Sequence, residues 1–321
     1  MSAVARAMAV EGLAEYVQEV EQRLGETVAW RPGVAADAAA DTLRAGGKRL
    51  RPMLVYLCAP VGVRDQPRLV AAGSAVELVH MATLVHDDML DQAQLRRGRP
   101  TVWHARGEQV ASAAGDHLFA RAFAELTESG DMDAVEALAR ACLSLAHGEI
   151  LQRAQTGDPS VTVEQYLERC TLKTGSLFAA AAVLGGILGG VGRADRDLLW
   201  EFGVALGLAF QISDDILDCD GQPDTTGKPL GTDLLDGTVT LPLLLAAQRT
   251  PAVADVIRRG AGPADVLPTL ALVARSGAVR DARIAAERHA GQALDALQRV
   301  VEPLDRDALR AVVHGAVDRR G

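Results

Sequence analysis

The chain has 321 residues, with 49% hydrophobic and only 3% aromatic residues, and its formal net charge is −9. A net negative charge disfavours binding to nucleic acid, whose phosphates are also negative, so we expect no nucleic-acid partner. The many Ala and Leu residues and the scarcity of aromatic residues favour helix over strand.

The cysteines and the N-terminus indicate the compartment. The four cysteines form no CxxC pair, which predicts buried thiols in a reducing environment; they are Cys58, Cys142, Cys170 and Cys219. The N-terminus lacks a signal-peptide pattern, and no apolar run has the length and composition of a clean membrane span. We therefore expect a cytoplasmic protein without a membrane span.

Apolar residues recur at helical spacing along nearly the whole chain. Helices are predicted over 3–23, 53–59, 69–91, 115–126, 133–155 and 197–219. Further helices begin near Asp37 and at Thr162 or Val163, and apolar helical sequence after the latter continues up to Leu188. About four more helices follow Thr240. Glycine and proline predict a loop over 92–101. No segment predicts a strand and no linker separates two domains, so the sequence predicts one all-α domain over 1–321, a single large helical bundle.

The helix predicted over 69–91 is apolar on all sides, which is typical of a buried helix, yet it ends in the acidic sequence HDDMLD. Residues three or four apart share a helix face, so Asp87 and Asp91 lie together, with His80 on the same side. Two like charges at a helix C-terminus are unfavourable and require a cationic partner. A solvated helix end would explain this motif if it occurred only once.

The same arrangement recurs where the helix over 197–219 ends in FQISDDILD. Gln211, Asp214 and Asp218 share one face there. Two DDxxD motifs at the ends of buried helices indicate metal binding, and ligands that are all oxygen indicate Mg²⁺. The candidate ligands are Asp87, Asp88, Asp91, Asp214, Asp215 and Asp218.

Basic residues accompany both acidic motifs and suit a diphosphate, which Arg can bind through two hydrogen bonds. They are Lys48, Arg51, Arg96, Arg97, Lys173 and Lys228. The turn GGKRLRP at 46–52 opens a helix, where backbone N–H groups and cations converge on an anion, although a solvated basic loop is an alternative. Lys173 could instead be a surface lysine whose stem covers apolar residues. Metal, diphosphate and apolar helices together indicate a prenyl diphosphate.

The sequence resembles the trans-polyprenyl diphosphate synthases. The matching segments occur in family order and are GGKRLRP at 46–52, ELVHMATLVHDDMLD at 77–91, RRGRPT at 96–101, GDHLFARAF at 115–123, GEILQ at 148–152, KTGSLF at 173–178, FQISDDILD at 210–218 and GKPLGTDL at 227–234. The resemblance implies the isoprenoid synthase fold, a helical bundle around a central cavity with two opposed Asp-rich motifs. It also implies a homodimer, with the helix over 115–126 as a candidate interface.

The resemblance further implies two substrates and three Mg²⁺ ions. Isopentenyl diphosphate is expected at Lys48, Arg51, His80 and Arg97. The allylic diphosphate and the catalytic step are expected at Arg96, Lys173, Thr174, Gln211 and Lys228. Asp87, Asp91 and Asp214 would be the main metal ligands, with Asp88, Asp215 and Asp218 bound directly or through water. Glu77 and His80 could instead be polar groups satisfied in the core, although we favour substrate contact for His80.

The residues before the first motif bear on product length. Ala82 and Thr83 lie about one turn before Asp87, with Val79 beneath them. Small side chains here leave room for elongation, so we predict a product beyond C15, with a long chain (hexaprenyl upward) favoured over geranylgeranyl or farnesyl. Met81 and Phe123 are the candidates for a residue that closes the far end of the path of the growing chain. One departure is Thr238, which stands where the family often has Lys. A class I terpene cyclase and a non-catalytic subunit of a heteromeric prenyl synthase are the rival interpretations.

Overall fold

The computed structural model describes residues 9–29, 32–62, 64, 66–220 and 230–318. The helices are α1 (Leu13–Val28), α2 (Val34–Arg44), α3 (Leu50–Leu57), α4 (Gln66–Leu90), α5 (Val102–Arg106), α6 (Glu108–Thr127), α7 (Met132–Gln155), α8 (Val163–Cys170), α9 (Ser176–Leu188), α10 (Arg193–Asp220), α11 (Thr232–Leu235), α12 (Leu241–Arg249), α13 (Pro251–Arg259), α14 (Val266–Arg275), α15 (Ala278–Arg299) and α16 (Arg306–Val317). The only strands in those ranges are β1 (Leu95–Arg96) and β2 (Arg99–Pro100). The predicted all-α class is therefore confirmed.

The described elements differ from the predicted ones in several places. Of the helix predicted over 3–23, residues 3–8 lie outside the described residues. Within the described part α1 starts at Leu13, because Gly12, with φ 76°, takes the left-handed conformation that interrupts a helix. The segment predicted as a loop over 92–101 contains an antiparallel hairpin that pairs Arg96 with Arg99. Its turn residues Arg97 and Gly98 both have positive φ, 52° and 73°, as a two-residue hairpin turn requires. After Thr240 the described residues form five α-helices, which agrees with the prediction of about four.

The chain divides into two compact units. Unit 1 comprises Met1–Cys142, Leu177–Glu201 and Ala296–Val312, and unit 2 comprises Leu143–Ser176, Phe202–Asp295 and Val313–Gly321. Several boundaries between these segments fall inside helices. The single domain over 1–321 stays a prediction.

In unit 1, α4 is the central helix and packs against α1, α3 and α6. Fifteen of its 25 residues are buried, as its apolar sequence predicts. The close packing depends on Gly73, where an added Cβ would lie 2.1 Å from the hydroxyl oxygen of Tyr16. After α4, Gln92 takes a positive φ of 53°, so the helix stops with the first acidic motif in its last turn.

In unit 2, a buried apolar cluster joins α8 and the second half of α10 to α12, α13 and α14. Thr162 and Gln165 form a capping box at the start of α8, which confirms the predicted start of this helix. The backbone then widens into one π-helical turn over Thr171–Gly175 before α9 begins. Such π-turns occur mostly at functional sites, and this one carries Lys173 and Thr174.

In the part of the chain that the structure describes, two helical segments are long and apolar enough to cross a membrane by length and composition alone: Gln66–Leu90 and Val163–Leu188. In each, about four-fifths of the most apolar window is buried, 78% and 83% respectively. Buried helices of this kind are typical of a protein core. The expected absence of a membrane span stays a prediction.

Candidate active site

The first acidic motif ends α4 in unit 1. Asp88 is buried and forms a two-pronged ion pair with Arg96, whose Nε lies 2.8 and 2.9 Å from the two carboxylate oxygens and whose Nη2 lies 2.6 Å from Oδ1. Burial alone would lower the pKa of Arg96, but the Asp88 hydrogen bonds and the charges of Asp87 and Asp91 raise it above its usual value. Arg96 is thus the cation that this helix end requires.

A second buried ion pair supports the basic turn. Arg49 begins α3 in the left-handed conformation, with φ 49°, and its side chain is only 5% exposed. Its Nη1 donates to Glu77 at 2.7 Å, and its Nε donates to Glu21 at 2.5 Å. Glu77, also 5% exposed, is therefore a buried charge that is paired inside the core. The sequence left this open as the alternative to a functional role.

An open cleft of about 560 Å³, a volume that includes the solvent at its mouth, lies between the end of α2, α4 and the hairpin in unit 1. Glu77, His80, Asp88, Arg96 and Arg97 are among its lining residues. Burial and the charges of Arg51, Arg97, Arg96 and Arg49 hold the pKa of His80 well below its usual value, so its imidazole is neutral at neutral pH. The cavity therefore combines a neutral imidazole with guanidinium groups, which suits a phosphorylated ligand.

The structure brings together two of the four residues expected to bind isopentenyl diphosphate, because His80 and Arg97 line this cavity. Lys48 is exposed on the preceding turn, and neither Lys48 nor Arg51 lines the cavity. The guanidinium carbon of Arg51 lies 4.5 Å from the ring centroid of Phe178, and its Nε has no hydrogen-bond partner within the described residues. Burial lowers the pKa of Arg51 to about 10.

The second acidic motif lies inside α10 in unit 2. Asp215 is 3% exposed, and both of its oxygens accept hydrogen bonds: Oδ2 from the hydroxyl of Tyr166 at 2.6 Å and Oδ1 from Nε2 of Gln211 at 2.8 Å. Gln211 Oε1 in turn accepts from the Thr174 hydroxyl at 2.8 Å. Burial raises the pKa of Asp215 to about 7, although these hydrogen bonds oppose the rise.

Asp218 binds the backbone at the start of α11. Its carboxylate accepts the backbone N–H groups of Thr232 at 3.0 Å and Asp233 at 3.2 Å, and its carbonyl accepts that of Gly231 at 2.9 Å. Asp218 thereby caps α11. Lys228, which the sequence assigns to the allylic diphosphate, lies outside the described residues.

Lys173 lies in the π-turn, where its Nζ pairs with Glu149 of α7 at 2.5 Å. Burial would raise the pKa of Glu149, but Lys173 and Arg153 lower it below its usual value. The close approach depends on Gly148, because an added Cβ would lie 2.7 Å from the backbone nitrogen of Lys173. The GEILQ segment therefore positions Lys173.

The residues assigned to product length lie on α4. Val79 and Ala82 are fully buried, and Thr83 is half-buried with its hydroxyl donating to the carbonyl of His80 at 2.8 Å. Met81 lines the cavity of unit 1, and Phe123 is half-buried on α6. Their effect on product length stays a prediction.

Neither unit contains a ready-made metal site, since no group of three or more His, Cys, Asp or Glu side chains in the described ranges is arranged to hold an ion. The donor chemistry nevertheless fits Mg²⁺, because both motifs offer only carboxylate oxygens. Mg²⁺ usually keeps several waters and binds one or two carboxylates together with substrate phosphates. An incomplete protein ligand set is therefore compatible with this ion.

Sequence reasoning missed four residues that support these groups. Arg49 belongs to the GGKRLRP motif and Glu149 to the GEILQ motif, so their position in those motifs was an available signal. Tyr166 and Arg169 carry no such signal, because their partners are distant in sequence. Arg169 is buried, and its Nη2 donates to the carbonyl of Val239 at 2.7 Å, beside the unusual Thr238.

Known proteins resemble this chain in sequence and in architecture. A sequence model of the Polyprenyl synthetase family matches residues 33–266. The chain belongs to the polyprenyl synthetase family. Among its relatives, octaprenyl diphosphate synthase of Escherichia coli is 37% identical over 85% of this chain and 86% of its own length. Component 2 of heptaprenyl diphosphate synthase of Geobacillus stearothermophilus is 37% identical over 89% of this chain and 90% of its own length.

Solved structures of polyprenyl synthases agree. The polyprenyl synthase of Caulobacter crescentus, complexed with calcium and isoprenyl diphosphate, superposes with a TM-score of 0.89 at 37% identity, over 99% of this chain and 98% of that one. A decaprenyl diphosphate synthase from Rhodobacter capsulatus gives 0.89 at 33% identity, over 98% and 99%. The resemblance read from the motifs is confirmed, as are the isoprenoid synthase fold and the prenyltransferase class of enzyme.

Proposed function

We propose that this polyprenyl synthetase condenses isopentenyl diphosphate with an allylic prenyl diphosphate and repeats the addition to a product beyond C15. The observation that carries the proposal is the unit 1 cavity. It places His80, Arg96 and Arg97 around one open space at the end of the helix that carries the first acidic motif. A phosphorylated substrate suits these groups, and family membership supplies the reaction.

We assign isopentenyl diphosphate to Lys48, Arg51, His80 and Arg97. Arg97 and His80 line the cavity, and Arg51, held against Phe178, contributes a cation nearby that also lowers the pKa of His80. Neutral His80 donates one hydrogen bond from its imidazole, and Arg97 supplies two N–H groups in a planar fork. The allylic diphosphate is assigned to Arg96, Lys173, Thr174, Gln211 and Lys228.

The reaction depends on divalent metal, and we propose Mg²⁺, with three ions as in the family. Asp87, Asp91 and Asp214 would be the main ligands. Asp88 and Asp215 are buried and hydrogen-bonded within the protein, so they suit indirect roles. When bound, the metal neutralises the negative charge that grows on the departing diphosphate.

The protein's own groups then act on the allylic fragment. Arg96 and Lys173 bind the diphosphate as the allylic C–O bond breaks and the bonding electrons leave with it. The Thr174 hydroxyl, the Gln211 amide and the Lys173 carbonyl direct oxygen dipoles at the carbocation, while buried apolar side chains exclude water. The isopentenyl double bond attacks, and the released diphosphate accepts the proton that is then lost.

A long product is favoured. The small residues Ala82 and Thr83 precede the first motif, and the relatives named above make heptaprenyl and octaprenyl diphosphates. Because an elongating chain needs an unobstructed apolar path, bulky residues at these positions would stop growth early.

The direct experiment is turnover of farnesyl diphosphate and labelled isopentenyl diphosphate with Mg²⁺, followed by chromatography of the products. We expect products longer than C20, and a single C15 or C20 product would refute the long-chain assignment. Asp87→Asn should abolish turnover. Asp133→Asn, which changes a carboxylate 69% exposed on the surface of the same unit, is the matched control and should leave turnover intact.

A heteromeric enzyme is the second candidate, because the Geobacillus relative is one component of its synthase. Turnover by the purified chain alone supports a self-sufficient enzyme. We also propose a cytoplasmic homodimer. Ala113, Ala120 and Ala124 are exposed along one side of α6, which makes this side the proposed contact with a second copy. Light scattering of the purified protein measures the assembly.

A further inference from the structure

A line of three hydrogen bonds crosses unit 2 from a buried tyrosine to the π-turn. Tyr166, fully buried, donates to Asp215 at 2.6 Å, Gln211 donates to Asp215 at 2.8 Å, and Thr174 donates to Gln211 at 2.8 Å. Tyr166 lies on α8 and Asp215 on α10, 49 positions apart in sequence. The line ends on Thr174 and Gln211, which the proposed function assigns to the allylic substrate.

The chemistry of the groups fixes the direction of each bond. In its ionised form Asp215 only accepts hydrogen bonds, so the Gln211 amide turns its nitrogen toward Asp215 and its oxygen toward Thr174. The Thr174 hydroxyl then donates its hydrogen to that oxygen, and its own oxygen remains an acceptor for an electron-poor centre.

Tyr166 is what keeps Asp215 in place. Among the described residues its hydroxyl is the only hydrogen-bond donor to Oδ2, and Asp215 is 3% exposed. Without that hydroxyl, a buried carboxylate oxygen loses its donor and the carboxylate turns toward another one. The Gln211 amide would then lose its fixed orientation.

We propose that Tyr166 is a positioning residue: acting through Asp215, it fixes the Gln211 amide and so directs the Thr174 hydroxyl oxygen toward the allylic carbocation. This inference rests on the proposed prenyltransferase function. Tyr166 contacts no substrate in this scheme. Its effect belongs to the step in which positive charge develops, because dipoles set in advance stabilise that charge without reorganisation.

Tyr166→Phe removes the hydroxyl and keeps the ring. We expect kcat to fall roughly 10- to 100-fold, the loss typical of one hydrogen bond to a charged group, while KM for isopentenyl diphosphate stays unchanged. Tyr16→Phe is the matched control. Tyr16 is equally buried, and its hydroxyl donates to the carbonyl of Leu69 at 3.1 Å in unit 1. It should lose comparable stability and keep kcat.

Repeating the change in a second variant, Thr174→Ala, separates an effect of positioning on kcat from a general loss of stability. In Thr174→Ala the hydroxyl to be positioned is gone, so adding Tyr166→Phe should lower kcat less than about threefold. The same loss in both backgrounds would overturn the inference, and so would a Tyr166→Phe enzyme with wild-type kcat. If Tyr166→Phe does not fold, Asp215→Asn should show the same dependence on Thr174. Wild-type turnover reports on the function and the variant ratios report on the inference, so either can fail alone.

Discussion

The buried ion pair between Arg49 and Glu77 makes a quantitative prediction for Glu77→Gln. This change keeps the side-chain shape and removes the charge opposite a guanidinium that is 5% exposed. Breaking a buried pair from one side costs about 3–5 kcal/mol. Because Glu21, 43% exposed, still pairs with Arg49, we expect the lower end, about 3 kcal/mol.

Urea unfolding followed by circular dichroism measures this free energy. Glu136→Gln is the control, since its pair with Arg140 is on the surface and should cost less than about 0.5 kcal/mol. The double variant Arg49→Met with Glu77→Leu removes both charges and should cost less than the sum of the two single changes. A loss below about 1 kcal/mol for Glu77→Gln, or strict additivity, would refute the reasoning.

Three further predictions concern other parts of the molecule. Phe178→Leu removes the ring beneath the guanidinium of Arg51, so KM for isopentenyl diphosphate should rise roughly fivefold at constant kcat; an unchanged KM would contradict this role. Thr83→Phe should shorten the product on chromatography, whereas an unchanged length would place the elongating chain elsewhere. Hydrogen bonding to Arg259 lowers the pKa of Asp265 to about 2. Since this pKa is lower in the folded state, the carboxylate stabilises the fold above about pH 4, and its contribution is lost as the pH falls toward 2. The stability difference between wild type and Asp265→Asn should therefore shrink between pH 6 and pH 3, and a constant difference would be the contrary result.

Much of the fold followed from the sequence because hydrophobic periodicity is a local property. The helix over 69–91 is predicted to be buried because its residues are almost all apolar, and most residues of α4 are indeed buried. The start of α8 followed from Thr162, whose capping box involves residues three apart. The hairpin at 95–100 was missed because it contains only two residues per strand, too few to show alternation.

The candidate site also contains contacts that are close in sequence, which were predicted, and contacts that are distant in sequence, which were not. Asp88 and Arg96 are eight residues apart, so charge balance at a helix end predicted a cation and the structure supplies it. Of the two partners of Asp215, Gln211 is four residues away on the same helix, whereas no spacing rule connects Tyr166 to it. Long-range contacts of this kind depend on how helices pack, and single-sequence patterns carry no signal for them.

Asp218 has a consequence for how the chain tolerates change. Its carboxylate and its carbonyl accept three successive backbone N–H groups, those of Gly231, Thr232 and Asp233. One residue near the end of α10 therefore satisfies N–H groups at the start of α11, which have no partner within that helix. A substitution of Asp218 would act on two helices at once, and its cost in stability would exceed that of an ordinary surface carboxylate.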